Sequence, residues 1–288
     1  MHFTRSIESS SRPRQAIVSL EIEMKDMLRA MFRSGMFAMG FSASRATATS
    51  DLAQLLDKLH PLDCGIDLIR VGSKGDGGYL IPNDLSGIEY CFSPGVSNLA
   101  DFENQLADMK IKSFLADYSV ASPPLVREEF TFDKKYLGSS DRDPYFTLAT
   151  WKDKYLKEYG GDLLLQMDIE GYEYETILSI PHDLLDRFRI LVIEFHELDN
   201  LFDAFVFRLI AACFEKLLAS FYLVHIHPNN CSEVIRRGDV EVPRTMEFTF
   251  LNRRRATQAT PQVTFPHPLD ADCCPRLRHV PLPRCWYR

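Results

Sequence analysis

Between residues 15 and 33, apolar side chains recur at steps of three and four, at Ile17, Leu20, Met24, Met27, Leu28 and Met31. That spacing predicts an amphipathic helix over Gln15–Arg33, preceded by a polar stretch, residues 1–14, expected to be mobile. A shorter helix is expected over Asp51–Leu59, capped by Ser50 and stopped ahead of Pro61. Ile69–Gly72 leads into KGDGGYLIPND, where Gly75, Gly77 and Gly78 allow a tight turn between two extended pieces. From residue 88 the pattern alternates. Strands are predicted at Ile88–Phe92, Ile111–Ala116, Val126–Phe132, Asp162–Met167, Arg189–Phe195, Tyr222–Ile226 and Thr245–Leu251. Helices are predicted at Ala100–Met109, Thr147–Lys157, Tyr172–Ile180 and Phe202–Leu218. The expected fold class is therefore α/β, a mostly parallel sheet with helices on both faces. Six of the sixteen prolines fall within residues 261–288, so that tail should run extended over the surface. The boundaries expected are a helical extension over 1–60 and a main domain over 61–288 that includes the tail.

In an open α/β sheet, ligands bind beyond the carboxyl ends of the strands, so the residues that follow each strand carry the functional information. SPGVSN follows the first strand and precedes a helix, and its small residues Ser93, Gly95 and Ser97 let backbone N–H groups approach a ligand. It is not a G-x-G-x-x-G dinucleotide fingerprint. The second strand ends on Asp117, a carboxylate placed to accept ribose hydroxyls. MDIEG sets Asp168 and Glu170 at the fourth strand end, and IEFHE sets Glu194, His196 and Glu197 at the fifth. HIHPNN adds His225, His227, Asn229 and Asn230 at the sixth. Alternation along the fifth strand places Glu194 and His196 on one face and Phe195 on the other.

Charge and cysteine content narrow the classes. A net charge of −7 gives no general attraction to nucleic acid, and the basic run Arg253-Arg254-Arg255 reads as a solvated loop. Seven cysteines without a C-x-x-C pair read as reduced thiols in a cytoplasmic protein. No apolar stretch approaches the ~18 residues of a membrane span. Arg29, Arg33, Met36, Phe37 and Phe41 leave open a peripheral membrane contact through the first helix, beside the plainer reading of a helix docked on the main domain.

GDLLLQMDIEGYEYETIL closely resembles the D-x-E-G-x-E segment of FkbM-type S-adenosylmethionine-dependent methyltransferases. DGGYLIPND, CFSPGVSNLADFE, FLADYS and LVIEFHELD resemble companion segments in the same order, and FPHPLDADCC looks like a variant of a terminal segment of some members. The resemblance spans about residues 66–275. It implies a class I methyltransferase (Rossmann-like) fold with a seven-stranded sheet whose last strand is antiparallel. It also implies S-adenosyl-L-methionine as cofactor and methyl transfer to an oxygen of a sugar, glycan or related small metabolite. SPGVS departs from the glycine-richer loop of many methyltransferases. On this reading Ser93, Gly95, Ser97 and Asp117 bind the cofactor, while Asp168, Glu170 and His196 act on the acceptor. With an ordinary pKa of about 6.5, His196 is the candidate general base, and Asp168 orients it or binds the acceptor. Alternatively Asp168 and His196, with His227, hold a divalent metal. Two rivals stay open: a metal-dependent glycosyltransferase, because DIE resembles the D-x-D acids that hold a sugar nucleotide, and a non-catalytic nucleoside-binding module. The sequence leaves the oligomeric state open.

Overall fold

The computed structural model describes residues 12–40 and 44–288, with side chains described from residue 24 onward in the first stretch. The mobility expected of residues 1–14 thus falls mostly outside the described residues, as does Phe41. The chain divides into two units, residues 1–45 and 46–288. The first consists of helix α1, Arg12–Ala38, longer at both ends than its apolar spacing predicts. Taken by itself it exposes Met24, Met27, Leu28, Met31, Phe32 and Phe37.

The second unit begins earlier than expected. Helix α2, Thr49–Lys58, buries Leu52, Leu55 and Leu56 in the main core, so the boundary lies at 45/46 rather than at 60. Its N-cap is Ala48, without a side-chain hydrogen bond. Ser50 stands inside the first turn and turns to Asp51 instead of capping.

Seven strands form the main sheet: β1 (Tyr90–Pro94), β2 (Lys112–Ala116), β3 (Phe130–Asp133), β4 (Leu163–Met167), β5 (Phe188–Phe195), β6 (Phe221–Pro228) and β7 (Met246–Asn252). Their order is β3-β2-β1-β4-β5-β7-β6. All neighbours are parallel except β7, which runs antiparallel between β5 and β6. This is the class I methyltransferase arrangement, with the last strand reversed as expected.

Among the described residues, four further helices of seven or more residues complete the layers: α3 (Asp101–Asp108), α4 (Leu148–Leu156), α5 (Glu173–Ser179) and α6 (Val206–Ser220). One sheet face packs Phe92, Leu165, Ile193, Phe195 and Phe248 against residues of α2, α4, α5 and α6. The other packs Cys91, Leu164, Ile190 and Val192 against Phe102 and Leu106 of α3 and against the hairpin Leu68–Gly72/Gly78–Pro82. The tail departs from expectation at its end. It closes in a single 3-10 turn whose Trp286 is fully buried in the main core, with Nε1 donating to the Glu241 carbonyl at 2.9 Å.

The basic run is not merely solvated. Arg255 clasps Asp84 through two bonds of 2.6 and 2.7 Å, and Arg254 reaches Asp162 at 2.8 Å. The buried Arg189 ties both together, donating to Asp162 at 2.8 Å and to the carbonyls of Asp84 and Ser86 at 2.9 and 2.8 Å. These contacts gather at the amino ends of β4 and β5, opposite the rim that carries the candidate chemistry. Arg189→Met should lower unfolding free energy by roughly 3–5 kcal/mol, since it strips a buried ion pair of one partner. Arg254→Ala, at a half-exposed pair, should cost less than about 1 kcal/mol. Urea denaturation of both variants measures the contrast.

Candidate active site

A cavity of about 540 Å³ opens at the carboxyl ends of β1, β2 and β4. Its wall includes Gly95, Ser97, Asp117, Asp168 and Glu170 among the residues expected at the site, together with Asp76, Tyr79, Asp101 and Glu103. Gly95 sits at φ +91°, and a Cβ there would come within 1.5 Å of the Asp168 carbonyl oxygen. The turn after β1 and the end of β4 therefore touch backbone to backbone, a contact only glycine permits. Asp117 is buried. It accepts from Ser97 N at 2.8 Å on one oxygen, and from Ser119 N and Oγ at 2.7 and 2.6 Å on the other. Three of roughly four acceptor positions of a carboxylate are thereby filled, leaving one for a ligand.

Ser93 lies below this wall rather than in it. It is fully buried, and its Oγ contacts Glu103 and lies 2.6 Å from Gln166 Oε1. Burial raises the Glu103 carboxyl to about 7 in spite of the hydrogen bond with Ser93. One hydroxyl proton cannot serve both neighbours, and a neutral Glu103 donating to Ser93 closes the set. Gln166 then continues to the Tyr79 hydroxyl at 3.3 Å.

The second cluster forms where β4 and β5 end. Glu173, in the first turn of α5, has a side chain with 0% exposure. Its Oε1 accepts from Ile169 N at 3.2 Å, Gly171 N at 3.0 Å and His196 Nδ1 at 3.1 Å. The chain reaches this geometry by entering the left-handed region at Glu170 (φ 56°) and Gly171 (φ 102°). His196 Nε2 then faces three carboxylates: Glu170 at 3.5 Å, Asp168 at 3.7 Å and Glu194 at 3.9 Å. Burial would lower the imidazole pKa, but the hydrogen bond and charge of Glu173, with Asp168 and Glu194, raise it to about 9. That direction favours the imidazolium, the form that cannot act as a general base. Asp168 moves the other way from an ordinary acid. Burial and the charge of Glu194 push its pKa up against the pull of His196, and its Oδ1 has no hydrogen-bond partner among the described residues.

His227 does not join this group. Strand register aligns Glu194 of β5 with Glu247 of β7, and Glu247 with His227 of β6, so a full strand stands between His227 and β5. His227 Nδ1 instead faces Asp270 of the tail at 3.5 Å, and His225 Nε2 faces the same carboxylate at 2.9 Å. Among the described residues, the three whose ligand atoms all lie within 4.8 Å of one another are Asp168, Glu170 and His196. If a metal binds, Glu170 takes the place expected of His227.

No protein-family model and no curated protein sequence matches the chain. Among solved structures, it is similar to a chain in the crystal structure of a fibrillarin/Nop5p complex, with 15% identity and a TM-score of 0.36 over 59% of this chain and 74% of that one.

Four site residues escape the strand-end reading: Glu173, Glu103, Gln166 and Glu247. Glu173 carries the second glutamate of D-x-E-G-x-E, and its acidic first-turn position alone suits the helix dipole. Glu103 had a usable signal, because it shares a helix face with the buried Leu106 and Ala107 at i+3 and i+4. Its pKa sets a pH dependence. Above the ordinary 4.5 the unfolded chain ionises this carboxyl, while the folded protein keeps the proton up to about 7. The stability it contributes is full below 4.5 and is lost as pH rises to about 7, on the order of 3 kcal/mol. Glu103→Gln should flatten that part of the profile. Urea unfolding at the two ends of the interval is the measurement.

Proposed function

We propose that this protein is an S-adenosylmethionine-dependent O-methyltransferase of the FkbM type that methylates a hydroxyl of a sugar, glycan or related small metabolite in the cytoplasm. The observation that carries the reading is the charge of the cavity wall. Asp76, Asp101, Asp117, Asp168 and Glu170 line it beside the neutral Glu103, and none of the described residues that line it is a lysine or arginine. Such a wall favours a cationic sulfonium donor and disfavours the diphosphate of a sugar nucleotide, so the methyltransferase reading stands ahead of the glycosyltransferase one. The clustered, pKa-shifted acids at one end of the same cavity favour catalysis over simple nucleoside binding.

The residues fit this cofactor: Gly95 and Ser97 supply a small-residue turn, and Asp117 keeps an acceptor position for a ribose hydroxyl. When bound, the cofactor supplies a methyl group on a positively charged sulfur. The protein must orient the acceptor hydroxyl in line with that group and take its proton. Asp168 is the proton acceptor we assign, because a carboxylate with a raised pKa is a stronger base than an ordinary one. His196, held as a cation by Glu173, positions Asp168 and Glu170 and offsets the charge of Glu194.

A second reading follows from the 4.8 Å grouping of Asp168, Glu170 and His196. A divalent ion there would replace the proton on His196 Nε2 and lower the pKa of the acceptor hydroxyl. Chelation separates the two, since EDTA should abolish activity only if a metal is required, with Mg²⁺ or Mn²⁺ restoring it.

Asp117→Ala should weaken S-adenosylmethionine binding about 10- to 100-fold, the equivalent of one charged hydrogen bond. Unchanged affinity by calorimetry in a folded variant would remove the proposed donor site. For the acceptor side, a metal-independent reaction predicts a rate profile with an alkaline limb near pH 9, where His196 loses its proton. That limb should vanish in His196→Gln while donor affinity stays near wild type. A wild-type profile in His196→Gln would detach this residue from the chemistry.

A further inference from the structure

The proposed reaction makes no use of the first unit. Its helix α1 leaves Met24, Met27, Leu28, Met31 and Phe32 between 55% and 65% exposed, although side chains of this kind are ordinarily buried. At ~100° per residue these five cover an arc of about 140° around the helix. Lys25, Arg29 and Arg33, all exposed, recur every fourth residue and form a basic sector that begins beside Phe32. Phe37, near the helix end, lies outside the arc. Asp26 is the one acid within residues 24–38, and it pairs with Arg29 at 3.2 Å. This stretch thus carries three cations against one acid, in a chain whose net charge is −7.

We propose that this face of α1 binds the surface of a bilayer containing anionic phospholipid, with the apolar arc in the acyl boundary and the basic sector at the phosphates. This inference does not rest on the reaction proposed above. The width of the arc separates a bilayer from a second copy of the chain. A coiled-coil seam would take Met24, Met27 and Met31, but its next position is Ser34, and Leu28 and Phe32 would stay outside its a and d positions. A broad apolar arc beside a basic sector is instead the pattern of a helix lying in the membrane interface. Charge points the same way. A second α1 brings the same three cations and a single acid, whereas anionic headgroups complement Lys25, Arg29 and Arg33 directly. Their stems can lie along the apolar arc while their heads reach the phosphates. Among the described residues no helix is long and apolar enough to cross a membrane, so the contact is with the surface.

The test is co-flotation of the full chain with vesicles of phosphatidylcholine alone and of phosphatidylcholine mixed with phosphatidylserine, over a range of salt concentrations. The protein should float with the mixed vesicles, and added salt should weaken that binding. Met27→Asp combined with Met31→Asp should lower the partition coefficient at least ~100-fold, because both side chains leave the acyl boundary. Arg29→Glu combined with Arg33→Glu should lower it at least ~tenfold on mixed vesicles only. Thermal unfolding of both variants should match wild type, since all four positions are exposed. Wild-type protein that stays in solution with mixed vesicles overturns the proposal, as does equal partition into both vesicle types at low salt. Undiminished binding by the double aspartate variant also overturns it. So does a wild-type dimer that fails to float and that the aspartates dissociate, which would assign the face to a second copy.

Discussion

The end of the sheet is organised around one carboxylate that has no access to water. A buried carboxylate costs several kcal/mol unless it is hydrogen-bonded and paired with a cation, and Glu173 meets both demands with one oxygen. Two of its donors are backbone N–H groups of Ile169 and Gly171, and the third is His196. Aiming two peptide N–H groups at one atom forces the chain to double back, which accounts for the left-handed conformations at Glu170 and Gly171. That turn throws the Glu170 side chain outward to 86% exposure and leaves Asp168 against the cavity. Replacing Glu173 would therefore disturb the turn, the histidine and both cavity carboxylates together.

Around this pair lies more negative charge than the local cations can balance. Asp168, Glu194 and Glu247 all have raised pKa values, in each case first from burial and next from a neighbouring acid or, for Glu194, against a hydrogen bond from Asn229. His196 and Arg70 are the cations that act on them. Raised values are the expected response when like charges share a low-dielectric site. Such a row is costly for stability, and it continues a sheet face that is apolar lower down, where Ile190, Val192 and Leu251 pack under the hairpin. The switch from apolar to acidic along one face is what turns a structural layer into a cavity wall suited to a cation.

Much of the frame was legible in the sequence because it depends on local pattern. Alternating apolar strands and amphipathic helices fixed the fold class, and strand ends gathered Asp168, Glu170, Glu194 and His196 before any contact was known. The parts that were not legible depend on partners far away in the chain. Arg254 and Arg255 read as solvated because their acids, Asp162 and Asp84, lie far upstream. The proline-rich tail gave no hint that Trp286 would enter the core. His196 looked like a base because its ordinary pKa suits neutral pH. Only the placement of four carboxylates around its ring raises that value.

The tail shows how a surface segment becomes part of the site's scaffold. Asp270 stands between His225 and His227, Asn230 grips the Cys274 backbone, and Trp286 anchors the far end. Each contact begins on or just after β6, or ends in the core behind it. The edge strand β6 has only β7 as a sheet neighbour, so its outer end would otherwise carry unpaired polar groups at the rim. By covering that edge, the tail shields the two histidines, and it grips Asn230, the neighbour of the Asn229 that donates to Glu194. The hydrogen bond to Glu194 in turn steadies one of the three acids that face His196 Nε2. The tail thus braces the strand end from which Asn229 reaches a cluster built from β4, β5 and α5.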